Sequence, residues 1–136
     1  MDYRKHWPLF AVTILTLAGF VFRMYRLDWQ CLMVDETTTS DFAANSTQWI
    51  IRYSLSSDYN PPLYYLIAHY SELLFGITRF AVRFPAVIFG TISIPAVYFL
   101  GKEVRGITLG LLSASLVSFM FPFFYYSQNA RAYSLV

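Results

Sequence analysis

The chain has 136 residues, of which 57% are hydrophobic, 20% aromatic and 13% charged, and its net charge is +2. So much apolar surface requires lipid and excludes an ordinary soluble domain of this length. The few, scattered basic residues exclude the phosphate-neutralising stripe of a nucleic-acid-binding protein.

The first uncharged run is WPLFAVTILTLAGFVF, Trp7 to Phe22, preceded by Arg4, Lys5 and His6 and followed by Arg23 and Arg26. With Arg23 snorkelling to the headgroups, a span over residues 7–27 approaches the roughly 20 residues that cross about 30 Å of hydrocarbon. A signal peptide starts in the same way, but no small-x-small cleavage pattern follows Phe22, so a retained helix is expected.

Residues 28–83 form a long loop that holds six of the eight carboxylates. Cys31 is the only cysteine, closes no intramolecular disulfide and reads as structural. The adjacent acids Asp35 and Glu36 lie between Leu32, Met33, Val34 and the threonines Thr37, Thr38, Thr39. Two readings stay open for this pair. Partial desolvation would raise a pKa and favour a general base for a hydroxyl or a metal ligand, whereas a carboxylate at a helix start is also an ordinary cap. In the next stretch Phe42, Trp49, Ile50 and Tyr53 fall on one helical side and Asp41, Asn45, Gln48 and Arg52 on the other.

The segment PPLYYLIAHYSELLFG, Pro61 to Gly76, is apolar but broken by His69 and Glu72. Leu63, Leu66, Ile67, Tyr70 and Leu74 share one face, and Tyr65, His69 and Glu72 the other, which predicts a second amphipathic helix lying in the interface. Pro61 and Pro62 suit its first turn and Gly76 its end. His69 reads as a satisfied interfacial residue.

Two further uncharged runs follow, predicted as spans over residues 84–101 and 107–125 around the hairpin at 102–106. Pro95 and Pro122 predict kinks, which a membrane helix tolerates when neighbours satisfy the freed backbone groups. The positive-inside rule puts Arg4 and Lys5 on the same cytoplasmic side as Lys102 and Arg105, which three crossings satisfy. A fourth crossing through residues 61–76 would put the hairpin outside. The expected architecture is therefore an all-α integral membrane protein with three transmembrane helices, whose external first loop carries two interfacial amphipathic helices. Arg79, Arg83 and Arg131 are then external, either as interface anchors or as partners for a lipid phosphate.

Three motifs together resemble the GT-C glycosyltransferases, in particular the protein O-mannosyltransferases and the lipid A aminoarabinose transferases. They are VDE at Val34 to Glu36, the run NPPLYYLIAHYSELLFG from Asn60, and VRFPAVIFGTISIPAVYFLGKEVRG followed by YYSQNARAYSL. The resemblance covers nearly the whole chain and implies inverting transfer of a sugar from a polyprenyl-phosphate carrier to a hydroxyl of a protein, lipid or glycan acceptor. It implies that Asp35 is the base, that Glu36 positions the acceptor or assists Asp35, and that Arg83 neutralises the leaving phosphate. Gln128, Asn129 and Arg131 match the polar end of the third span, and Asn60 and Arg79 join them as candidate donor-binding residues. It also implies that this single module, residues 1–136, is the amino-terminal part of a longer enzyme whose remaining helices complete the carrier groove. The site would face outward from a multi-pass protein of the plasma membrane. No cofactor is implied with certainty, and a divalent metal stays open. The competing reading is a non-catalytic membrane subunit or lipid-binding scaffold of the same fold.

Overall fold

The computed structural model describes residues 3–56 and 62–131, with side chains from His6 onward. Its elements are α1 (Tyr3–Met24), α2 (Val34–Ala43), α3 (Thr47–Ser56), α4 (Pro62–Phe75), α5 (Arg79–Arg105), α6 (Ile107–Phe119) and α7 (Phe121–Ser127), with no strand among the described residues. Two helices, His6–Met24 within α1 and the whole of α5, are long and apolar enough to cross a membrane. The pair α6 and α7 qualifies only if counted together, because it bends by 57°. The run at 107–125 is thus a broken helix instead of one kinked span. At 14 residues, α4 is about 21 Å long and does not reach the length of a span.

The spine is α5. Its 27 residues reach about 40 Å and overrun the expected span at both ends, so Arg79 and Arg83 lie in its first turns. The Thr78 side chain accepts the Ala81 N–H at its start. At the other end, Lys102 to Arg105 continue the helix, since these are good helix formers and basic side chains suit a C-terminus. The expected hairpin at 102–106 contracts to Gly106, whose φ of 83° lets one residue end α5 and begin α6. The two helices then leave the turn in close contact: a Cβ on Gly110 would sit 2.6 Å from the Tyr98 carbonyl oxygen, and one on Gly101 3.0 Å from Gly110 Cα. Glycines permit this approach, as small residues do between membrane helices.

Against this pair packs α1, closing a core of Val12, Ile94, Tyr98, Ala114 and Val117. Phe10, Leu17, Val21, Leu100, Leu112 and Leu116 point outward, the surface a hydrocarbon solvent requires. A second core, of Ala43, Tyr64, Ala68, Val82, Ala86 and Ala130, lies where the short helices meet the first half of α5. There Tyr64 Oη donates to Val82 O (3.1 Å) and Ser71 Oγ to Ala81 O (2.6 Å), pinning α4 along α5.

The split of α4 into two faces follows the sequence pattern. Leu63, Tyr70 and Leu74 are exposed, while Tyr65 and Glu72 turn into the protein. The stretch after Asp41 is two helices joined by a turn, and its aromatic side holds together: the Phe42 ring meets Trp49, Tyr53 and Tyr65 edge-on at 5.1–5.6 Å, and Ile50 is buried.

Arg23 does not snorkel. It is fully buried, and the reason is the break between α6 and α7. The last regular bond of α6 runs from Met120 N to Leu116 O, and Pro122 has no N–H to offer the Ser118 carbonyl. Arg23 supplies the missing donors, with Nη2 to Val117 O (2.8 Å), Nη1 to Ser118 O (3.3 Å) and Gly19 O (3.1 Å), and Nε to Ser127 Oγ (2.9 Å). Because a guanidinium replaces donors the backbone cannot provide, Arg23→Met should leave two buried carbonyls unpaired and cost roughly 1–3 kcal/mol. A lowered thermal unfolding midpoint in detergent checks this, and an unchanged midpoint would contradict the role given to Arg23.

Candidate active site

The end of the bundle where α1 stops and α5 starts brings the acidic pair Asp35 and Glu36 together with Arg83 and Arg131. Met33 opens α2 with an extended backbone, and Glu36 sits at the third position of the helix, where its carboxylate reaches back to the Met33 N–H (3.0 Å). Capping is therefore one role of Glu36. The same carboxylate takes Arg83 Nε on Oε1 (2.8 Å), Arg83 Nη2 on Oε2 (2.6 Å) and the Ala130 N–H on Oε1 (2.9 Å). Four donors use the carboxylate's lone-pair positions, and only 2% of the residue is exposed. Burial pushes the Glu36 carboxyl up, but the hydrogen bonds from Arg83, Ala130 and Met33 and the guanidinium charge outweigh it and leave the pKa below the ordinary carboxylate value. The same negative charge adds to burial in raising the pKa of Tyr64.

Arg83 is equally committed. Beyond its two bonds to Glu36, Nη1 donates to Leu27 O (2.7 Å) and Gln30 O (3.2 Å), and Nη2 to Cys31 O (3.2 Å). All five N–H donors of the guanidinium are thereby occupied. Glu36 and Arg83 hold the end of α1, the start of α2, α5 and the segment after α7 in one arrangement.

Asp35, next to Glu36 on the helix, faces outward with 67% of its side chain exposed, and its Oδ1 lies 2.7 Å from Arg131 Nη2. The Ala130 amide held by Glu36 sets Arg131 in place, one residue on. The Arg131 side chain is 21% exposed, and its Nε is buried with no partner among the described residues. Gln128 Nε2 donates to the carbonyls of Arg23 (2.9 Å) and Tyr25 (3.2 Å), which ties the same segment to the end of α1. Asn129 is half-buried, and its carbonyl accepts the Arg131 N–H. Arg79 is exposed, reaches Asp28 O at 3.5 Å, and borders a cleft of about 520 Å³ lined by Asp28, Ile77, Thr78, Arg79 and Phe80. Asn60 lies outside the described residues. Among the described residues no three His, Cys, Asp or Glu side chains gather as a metal-ligand set.

Sequence reasoning missed a second buried carboxylate. Glu72 accepts from Ser40 Oγ on Oε1 (2.7 Å), while its Oε2 is buried without a hydrogen-bond partner among the described residues. Burial raises its pKa, with Asp41 adding to the rise and Ser40 and His69 opposing it. His69 Nδ1 lies 2.6 Å from the Ala43 carbonyl, so that nitrogen carries the proton and the residue joins α4 to α2 as a structural contact. The polar face of α4 was the only available signal, because periodicity separates the faces without saying which one turns inward.

The profile of the dolichyl-phosphate-mannose-protein mannosyltransferase family matches residues 59–132, from three positions before the start of α4 to the residue after Arg131. This stretch is more than half of the chain. The chain belongs to this family. With two helices able to cross a bilayer, it is a membrane protein of the GT-C type. No curated protein and no solved structure matches it. The match begins after α2, but Glu36 is bound by Arg83 and Ala130, both inside the matched stretch.

The two buried glutamates have opposite pH windows. The lowered pKa of Glu36 contributes stability that is present above the unfolded value and lost as pH falls through the folded one. The raised pKa of Glu72 contributes stability present below the unfolded value and lost as pH rises through the folded one. Glu72→Gln should therefore gain unfolding temperature over the wild type as pH rises above the ordinary carboxylate range, with the difference vanishing in acid. Arg83→Met, which leaves Glu36 buried without its counter-charge, should cost roughly 3–5 kcal/mol in denaturant unfolding, and a cost under about 1 kcal/mol would refute the four-donor account.

Proposed function

We propose that the chain is a single membrane module, at the amino-terminal end of a polyprenyl-phosphate-dependent glycosyltransferase, that transfers a sugar to a hydroxyl acceptor. The observation that carries this reading is the division of labour in the acidic pair: Glu36 is buried and saturated, while Asp35 beside it is exposed and held by one arginine. In this reading Asp35 accepts the acceptor's hydroxyl proton as the new bond forms at the anomeric carbon. The bond from that carbon to the phosphate oxygen breaks, and polyprenyl phosphate leaves with the electron pair. Arg131 stabilises the developing phosphate charge where charge develops, with Arg79, Asn129, Gln128 and Asn60 as further donor-binding residues. Glu36 and Arg83 act as positioning residues. The acceptor is a protein, lipid or glycan hydroxyl.

The reading includes three crossings, with α6 and α7 as one broken span and the short helices α2 to α4 on the outer leaflet of the plasma membrane. The placement is supported by the shared end of the bundle at which α1 ends, α5 begins and α7 ends, joined by the contacts of Gln128 and Arg83. The loop 25–78 and residues 128–131 then meet on one side of the membrane.

In a membrane preparation of the protein supplied with a polyprenyl-phosphate sugar, Asp35→Asn should lower transfer by about 10²–10⁴-fold while helix content by circular dichroism stays at the wild-type value. Activity within a few-fold of wild type would remove Asp35 as the base and favour the scaffold reading. For the sidedness, single substitutions Asp35→Cys, Arg79→Cys and Arg105→Cys in a Cys31→Ser background are exposed to an impermeant thiol reagent in intact cells. Labelling at 35 and 79 but not at 105 is expected, and labelling at 105 alone would place the site on the cytoplasmic face.

A further inference from the structure

Of the arginines at this end of the bundle, the three expected to serve the donor site have their donors in different states. Arg83 has every N–H in use, and Arg79 makes a single long contact to a backbone carbonyl. Arg131 alone faces a carboxylate that is itself largely exposed, and its Nε is withdrawn from water without an acceptor among the described residues. An N–H in that state is a standing penalty that an arriving oxyanion removes. A guanidinium engages carboxylate and phosphate oxygens through the same fork of donors, so Asp35 and an anionic ligand at Arg131 compete for one group.

We infer that Arg131 is a shared cation, which holds the Asp35 carboxylate while no donor is bound and passes to the phosphate oxygens of the carrier when one arrives. This inference rests on the glycosyltransferase reading and deepens it. The exchange couples two events: while Arg131 Nη2 occupies Asp35 Oδ1 at 2.7 Å, that oxygen is not open to an acceptor hydroxyl, and it becomes open when the guanidinium leaves. Asp35 is thereby kept out of use until the leaving group is in place. The Arg131 backbone does not have to move, because Glu36 continues to hold the neighbouring amide of Ala130. Only the side chain changes partner.

The exchange has a signature that neither a structural nor a purely catalytic role would give, namely that removing the charge of the base strengthens binding of the donor's phosphate. The probe is farnesyl monophosphate, with farnesol as the uncharged control, titrated calorimetrically into the chain in dodecyl maltoside micelles, which carry no phosphate. Wild type should prefer the monophosphate. Asp35→Asn should tighten its binding about threefold, the order of one exposed ion pair, and Asp41→Asn, another exposed acid of α2, should leave it unchanged. Arg131→Gln should weaken binding about tenfold and cancel the gain from Asp35→Asn in the double variant. Arg131→Lys, which keeps the charge but loses the fork, should retain part of the gain and serves if the glutamine variant does not fold. A preference for phosphate with no gain in Asp35→Asn, or an equal gain without Arg131, overturns the exchange and leaves the glycosyltransferase reading standing. No preference for the monophosphate over farnesol in the wild type overturns both.

Discussion

The carboxylate of Glu36 is the point on which the polar end of the molecule depends. Its four donors come from three distant stretches: the start of its own helix, the second turn of α5, and the amide of Ala130 beyond α7. A buried ion pair of this kind is weak evidence for net stability, since desolvation offsets much of the attraction. It is strong in specifying geometry, because any arrangement other than the observed one leaves a charge without donors. The exposed acid beside it inherits that precision. Asp35 meets Arg131 because one neighbour of each, Glu36 and Ala130, is already bound to the other.

Two buried arginines solve one problem in two places. Irregular backbone near or inside a bilayer has no water to turn to, so its carbonyls need donors from the protein. Arg23 provides them where Pro122 interrupts the third hydrophobic run, and Arg83 where the chain turns from α1 into α2 at Leu27, Gln30 and Cys31. The guanidinium suits this task because it is a rigid fork with five N–H groups and no acceptor to satisfy. Both arginines border hydrophobic runs in the sequence, a position that ordinarily suggests an anchor in the headgroups.

That ambiguity marks what the sequence could and could not tell. The helical class and the two long hydrophobic helices were legible, because uncharged length is written locally. The acidic pair stood out for its setting between apolar residues and threonines. Its two readings were not alternatives: Glu36 took the cap and the buried pair, and Asp35 kept its exposure. What the local pattern did not carry is where the buried charged side chains find their partners. Arg23 turned inward instead of to the headgroups, Arg83 pairs with Glu36, and Glu72 meets Ser40. Partners 32 to 104 residues away decide those directions, and local pattern holds no trace of them. The overlong reading of the turn at 102–106 has a different origin. Charge suggested a loop, while the helix-forming tendency of Lys, Glu and Arg carried α5 on to the one glycine able to reverse it.

The single-residue turn at Gly106 bears on the order in which the molecule is built. Helices joined so tightly, with Gly101 and Gly110 in backbone contact, meet at short sequence separation and lose little chain entropy in pairing. The bond from Ala130 to Glu36 spans 94 residues and waits for α1, the hairpin and α7 to be in position. Loop-closure entropy therefore favours the contacts of the far end over those of the acidic pair, whose seat for Arg131 depends on α1, α5 and α7 together. Closure of the acidic end thus doubles as the molecule's own record that the helices it rests on are in place.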